Sequence, residues 1–296
     1  MFKGSYVALV TPFRNGEVDE GALRSLVEFQ VENGTDGIVA CGTTGESATL
    51  SHKEHDHVIE VVIEQVAGRV PVIAGSGSNS TAEAIHRTQF AKKAGADGAL
   101  LVVPYYNKPT QEGLYQHFRA VAESADIPIV LYNVPGRTVV SIAPDTIARL
   151  AEIPNIVGVK EATGNLTNTC DIISKVPKGF IVLSGDDFVT LPMMAMGAVG
   201  TISVTANVAP ADVAEMCQAQ LGGDAGRALR LHYKMWELNH MMFVETNPIP
   251  AKATLALMGR LRMEYRLPLC PPSPANLKKI EAFARSYGLV SETVTV

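Results

Sequence analysis

Cysteine is scarce in this 296-residue sequence: Cys41, Cys170, Cys217 and Cys270 are the full set. They are widely spaced and form no CxxC pair, a usage that fits reduced thiols in a cytoplasmic protein. Long apolar runs are missing as well. No stretch approaches the roughly 18 apolar residues that a membrane helix needs. The first 20 residues carry Lys3, Arg14, Glu17 and Asp19 and no long apolar run, so no signal peptide is visible. Concentrated charge is a third absence: the net charge is −5 and no basic block occurs, which argues against a nucleic-acid partner. Together these absences predict a soluble cytoplasmic protein. What is present is material for a core, with 47% hydrophobic and 19% charged residues. The length suits one large domain or two ordinary ones, and an α/β barrel fills about 250 residues as a single domain.

Short runs rich in Val and Ile recur along the chain: "YVALV", "GIVAC", "PVIAG", "GALLVV", "IPIVLY", "IVGVK", "FIVLSG" and "VGTISV". Between them lie segments of helical spacing, such as "EGALRSLVEFQVENG" and "TAEAIHRTQFAKKAG". Gly34, Gly68 and Gly95 follow helical patterns, while Ser51 and Ser80 stand as N-caps. Near-continuous apolar strands alternating with amphipathic helices imply a parallel sheet covered by helices. Eight such units, ending near residue 221, predict a TIM (β/α)8 barrel in preference to an open doubly wound sheet. From 224 onward no further strand is evident, and three helical segments read as an appendage behind the barrel. The expected division is a catalytic barrel over 1–223 and a C-terminal helical extension over 224–296.

Chemistry in such barrels collects at the C-terminal ends of the strands. Those positions give Thr43 and Thr44, Tyr105 and Tyr106, Tyr132 and Arg137, Lys160, then Gly185 and Asp186. In "IVGVK", side-chain alternation puts Lys160 on the face of Gly158, with Val157 and Val159 on the other. If the valines pack on helices, Lys160 lies inside the barrel and the missing side chain at Gly158 leaves room for its stem. Burial disfavours an ammonium, and a neutral amine attacks ketones to form a Schiff base. Alone, a strand-end lysine more often snorkels into solvent; its neighbours change the reading. Tyr132 shares a face with Val130 and offers a phenol for proton transfer. "CGTTGES" sets two threonines between glycines, so that successive N–H groups converge on an anion. "NVPGRT" places Arg137 after a Pro-Gly turn, free to grip a carboxylate.

"GTTGES", "YYNKPTQEGLYQHF", "YNVPGRT", "VGVKEATGN", "LSGDD" and "ISVTANV" together resemble the dihydrodipicolinate synthase family of pyruvate-dependent, Schiff-base-forming class I aldolases. The resemblance runs from "GSYVALVTPF" to about "NPIPAK". It implies condensation of pyruvate with L-aspartate-4-semialdehyde to 4-hydroxy-tetrahydrodipicolinate, in lysine and diaminopimelate biosynthesis. By the same resemblance Lys160 forms the imine, the backbone at Thr43 and Thr44 binds the pyruvate carboxylate, and Arg137 binds the semialdehyde carboxylate. Thr44, Tyr132 and Tyr106 form a proton relay, Tyr106 reaching in from a neighbouring subunit of a homotetramer built as a dimer of dimers. Gly185 and Ile202 offer carbonyls near the lysine. No metal and no cofactor is implied. Thr246 in "FVETNPIP" stands where proline is expected, away from the expected chemistry.

Ser47, Ala48, His52, His55, Asn79, Glu83 and Tyr105 match positions that bind lysine in feedback-inhibited members of the family. Glu83 suits the ammonium groups, and Asn79 and Tyr105 suit the carboxylate. The histidines sit at the positive end of a helix, which favours neutral imidazoles. The plainer reading makes "SHKE" and "STAE" two capping boxes, with Glu83 a cap and both histidines solvated. Three rival functions remain: a sister aldolase acting on sialic acid or keto-deoxy sugar acids, a metal hydrolase using His52, His55 and His57, and a non-catalytic ligand sensor. Arg137 favours a small acidic aldehyde over the first, and HxxH without a third fixed ligand is a weak basis for the second.

Overall fold

The computed structural model describes residues 2–290. The chain opens with β1 (Gly4–Ala8), a short hairpin of β2 (Phe13–Arg14) and β3 (Glu17–Val18), and α1 (Glu20–Glu32). Then come β4 (Gly37–Ala40), α2 (His52–Val66), β5 (Val72–Gly75), α3 (Thr81–Ala94), β6 (Gly98–Val102) and α4 (Gln111–Ser124). β7 (Ile129–Asn133), α5 (Pro135–Thr138), α6 (Pro144–Leu150), β8 (Ile156–Glu161) and α7 (Leu166–Lys175) follow. β9 (Ile181–Ser184), α8 (Thr190–Ala195), β10 (Gly200–Ser203) and α9 (Pro210–Leu221) complete the repeat. The tail holds α10 (Ala225–Met242), α11 (Ile249–Leu257) and α12 (Pro274–Tyr287).

Strands β1, β10, β9, β8, β7, β6, β5 and β4 close in that order into a parallel barrel, the predicted (β/α)8 architecture. Alternation along each strand sorts side chains into two layers. Tyr6, Val39, Ile73, Leu100, Val130 and Leu183 fill the interior, while Val7, Ile38, Val72, Leu101, Leu131 and Val182 face the helices. Local signals fix where helices begin and end. α2 starts at a complete capping box of Ser51 and Glu54, and α3 stops at Gly95, whose φ of +93° is a left-handed turn. No helix among the described residues is long and apolar enough to cross a membrane.

Two expectations need correction, and both bear on the lysine. Between β7 and β8 the register shifts: Ile129 pairs with Ile156, but Val130 pairs with Gly158. Val157 is therefore an extra residue, and it packs in the barrel interior while Val159 packs against the helices. The two valines do not share a face. Beyond this bulge the pairing of Tyr132 with Lys160 restores alternation and turns the lysine inward. Nor does Gly158 make room for the lysine stem, since a Cβ there would meet Ile181 Cγ1 at 2.2 Å. The room comes from Gly185, where a Cβ would lie 2.9 Å from Lys160 Cε.

The tail does not stay behind the barrel. α10 packs on α9, and the chain then crosses the strand tops. There Asn247 Nδ2 donates to Thr44 Oγ1 at 3.0 Å, Lys252 pairs with Glu46, and Arg266 pairs with Glu54. Thr246, expected to lie clear of the chemistry, borders the same cavity as Arg137.

Candidate active site

The ends of β4, β7, β8, β9 and β10, with the break between α10 and α11, build the mouth. After β4 the chain turns at Cys41, with φ of +55°. The turn is held by Gly45 N–H to Gly42 O and Glu46 N–H to Thr43 O, each 3.1 Å, and by the Thr11 hydroxyl donating to Gly45 O at 2.7 Å. Among the described residues no acceptor takes the backbone N–H of Thr43 or of Thr44. Two successive unengaged donors in a glycine-bounded turn suit a carboxylate.

Opposite that turn, β7 and β8 present Tyr132 and Lys160 side by side. Lys160 is 4% exposed, and its Nζ stands 4.2 Å from the centroid of the Tyr132 ring. One residue further on, Asn133 Nδ2 donates to Glu161 Oε2 at 2.8 Å, and Thr163 N–H donates to the other oxygen at 2.8 Å. This buried pair ties the two strand tops together. Just after β9, Asp187 accepts the N–H groups of Val204 and Thr205 at 2.9 and 3.1 Å. Burial pushes its carboxyl up, and the nearby Lys160 charge is among the groups pulling it back. A cavity of about 220 Å³ lies above, bordered by Thr44, Tyr132, Arg137, Lys160, Gly185 and Asn247. Ile202 is fully buried in the interior cluster and does not border it.

Arg137 rides on the single turn α5, where Val134 O accepts its N–H at 2.9 Å. Its side chain is held by Nη2 donating to the Asn247 carbonyl at 3.2 Å. Asn247 thus joins Arg137 to Thr44. Sequence reasoning passed over this residue, although an Asn-Pro dipeptide in a break between helices is a turn signal. It also passed over Asp187 and the Asn133–Glu161 pair. The expected relay is only partly assembled: the Thr44 hydroxyl accepts from Asn247, and among the described residues no hydrogen bond joins Thr44 to Tyr132.

A second cavity of about 590 Å³ shares Val134, Arg137 and Asn247 with the first and extends between the turn after β4 and the first turns of α3. Ser47, Ala48, Glu83 and Tyr105 border it together with Arg87. Asn79 and the two histidines do not. The Asn79 carbonyl accepts from Asn107 Nδ2 at 2.8 Å. His52 is largely exposed, its Nε2 3.7 Å from Glu83 Oε1. His55 is neither solvated nor open to a ligand. It is 1% exposed, its Nε2 donates to the Gly75 carbonyl at 2.9 Å, and its pKa is lowered to about 4, first by burial and then by the Arg87 charge. His57 turns to Glu20 at 3.1 Å, so the three histidines face three different partners. Only one of the two expected capping boxes forms. Ser80 accepts the Glu83 N–H, but the Glu83 side chain goes to Ser78 and Arg87.

The model of the "Dihydrodipicolinate synthetase family" matches residues 1–286. The chain belongs to that family. A 4-hydroxy-tetrahydrodipicolinate synthase of Syntrophus aciditrophicus is 59% identical over 290 residues, covering 98% of this chain and 100% of the relative. The crystal structure of dihydrodipicolinate synthase from Aquifex aeolicus superposes with a TM-score of 0.97 at 52% identity, covering 99% of this chain and all of that one. A dihydrodipicolinate synthase from Cyanidioschyzon merolae, solved with lysine bound, superposes with a TM-score of 0.95 at 43% identity, over 98% of this chain and 99% of that one. In this member of the synthetase family Tyr106 stands apart from the other expected site residues. It is 90% exposed, with φ of +74°, and borders none of the cavities described above.

Proposed function

We propose that this protein condenses pyruvate with L-aspartate-4-semialdehyde through a Schiff base on Lys160, giving 4-hydroxy-tetrahydrodipicolinate for lysine and diaminopimelate biosynthesis. The observation that carries this is a buried lysine amine in contact with a tyrosine ring at the border of a cavity, with unengaged backbone donors at Thr43 and Thr44. The uncharged amine adds to the ketone carbon of pyruvate, and loss of water leaves the imine. Removal of a methyl proton gives an enamine, whose carbon bonds to the aldehyde carbon while the aldehyde oxygen takes a proton. The amino group of the semialdehyde part then adds to the imine carbon and expels Lys160, closing the ring. Tyr132 and Thr44 serve the proton transfers, and Gly185 and Ile202 supply carbonyls around the lysine. The barrel over 1–223 carries these groups, and the extension over 224–296 completes the mouth through Asn247.

Arg137 grips the carboxylate of the aldehyde in this reading. A charged hydrogen bond contributes about 1.5–3 kcal/mol, or about ten- to a hundredfold. In steady-state assays, Arg137→Ala should therefore lower kcat/KM for the semialdehyde by that factor and change the KM for pyruvate little. Equal losses for both substrates, or none, contradict the role.

Tyr106 completes the relay from a neighbouring copy, so the active form is a cytoplasmic homotetramer, a dimer of dimers. A tyrosine almost wholly in solvent in one chain is available to a second. Mixing inactive Tyr106→Phe chains with inactive Lys160→Ala chains should restore part of the activity, because one site of each mixed dimer holds both groups. Proven chain exchange without recovery rules out the shared site.

The cavity at Ser47, Ala48, Glu83 and Tyr105 is a regulatory cleft for lysine, with Glu83 taking an ammonium and Tyr105 the carboxylate. His52, His55 and Asn79, which the family resemblance adds to this site, do not border the cavity in a single chain.

A further inference from the structure

Glu83 is already occupied. Arg87, one turn further along α3, places Nη2 2.7 Å from Glu83 Oε1, and the Ser78 hydroxyl donates to Oε2. Those two contacts engage both oxygens of the only carboxylate on α3 that borders the cleft beside Ser47 and Tyr105. The Ser78 hydrogen bond, then the Arg87 charge, hold this carboxyl below the usual range, so it is an anion with a resident cation. Arg87 cannot simply swing away. Its side chain is 14% exposed, and its Nε is buried without an acceptor. The residue also lines a small inner cavity with Thr43, Ser47, Gly77 and Tyr132. A largely buried guanidinium with Glu83 as its one charged partner keeps its charge at that carboxylate.

We propose that Arg87 competes with lysine for the Glu83 carboxylate and so sets the affinity of the regulatory cleft. The proposal rests on the reading of that cleft as a lysine site. A lysine ammonium reaching Glu83 must share one anion with a guanidinium a few ångströms away. Like charges at that spacing repel even where solvent screens them, which weakens binding by about tenfold. Glu46, the other carboxylate bordering the cleft among the described residues, is already paired with Lys252 and offers no free anion. Arg87 is thus a built-in antagonist of feedback inhibition.

The test is calorimetric titration of free L-lysine into the intact protein and its variants. Arg87→Met keeps the stem and removes the charge, so it should bind lysine about tenfold more tightly than the wild type. Arg87→Gln, a polar replacement should methionine misfold, should do the same. Arg87→Lys retains the charge and should bind as weakly as the wild type. Glu83→Gln should abolish binding in both the wild-type and Arg87→Met backgrounds. Wild-type protein that binds lysine, beside uncharged variants that bind it no better, overturns the competition and leaves the lysine site standing. Tight binding by Arg87→Lys assigns the effect to shape and also overturns it. If lysine binds neither the wild type nor any Arg87 variant, the lysine reading fails and the proposal with it.

Discussion

Lys160→Ala should lower condensation of pyruvate with aspartate semialdehyde to less than about 0.1% of the wild-type rate, because alanine has no amine to carry the ketone carbon. The fold should survive. The Lys160 side chain makes no hydrogen bond among the described residues, and its Nζ contact is with the face of the Tyr132 ring. Truncation leaves a small void beside a cavity that is already open, so the melting temperature should move by less than about 5 °C. Activity above about a tenth of wild type, in protein with native circular dichroism, would falsify the assignment. An inactive variant that is also unfolded calls for Lys160→Met, which keeps the stem.

The second large effect is on stability, at a lysine with no part in the chemistry. Lys252 on α11 is fully buried, with Nζ 2.5 Å from Glu46 Oε1 and 4.3 Å from the centroid of the Phe13 ring. The other oxygen of Glu46 accepts the Arg266 N–H at 3.3 Å. Burial pushes the Lys252 ammonium below the ordinary lysine range, and the Glu46 carboxylate opposes that shift. Removing one partner of such a pair leaves the other charged and alone, at a cost of about 3–5 kcal/mol. Lys252→Met should lose that much in denaturant unfolding at fixed protein concentration. Adding Glu46→Gln should recover part of it, since the uncompensated carboxylate is gone. Glu46 ends the turn that carries Thr43 and Thr44, so Lys252→Met should also weaken use of pyruvate. A single variant within about 0.5 kcal/mol of wild type contradicts the account.

Lys252 was visible in "NPIPAK", and its burial was not. Its helix is apolar on nearly every side, but the carboxylate partner that makes a buried lysine tenable lies 206 residues away in the sequence. The barrel itself was legible because each strand carries its own apolar run and each helix its own caps. Lys160, Tyr132 and the Thr43–Thr44 turn were legible because strand ends on a (β/α)8 barrel share one rim. What failed was whatever depends on register or on distant segments. Alternation counted Val157 and Val159 as one face, because a bulge leaves no mark in a run of apolar residues. The Asn15-Gly16 turn between β2 and β3, both residues with positive φ, did carry a hairpin signal that the strand count passed over. Spacing made Glu83 a cap; the reach of Arg87 from the next turn drew it into the cleft. Asn247 could be placed only by tertiary structure, since nothing local says that the tail crosses the mouth.

The central claim is that Lys160 carries pyruvate as an imine. Borohydride reduction of the wild-type protein in the presence of pyruvate, followed by intact-mass measurement and peptide mapping, tests it most directly. The account predicts one reduced pyruvate per chain, located on Lys160 and absent from Lys160→Ala. No adduct, or an adduct on Lys108 or Lys252, contradicts it.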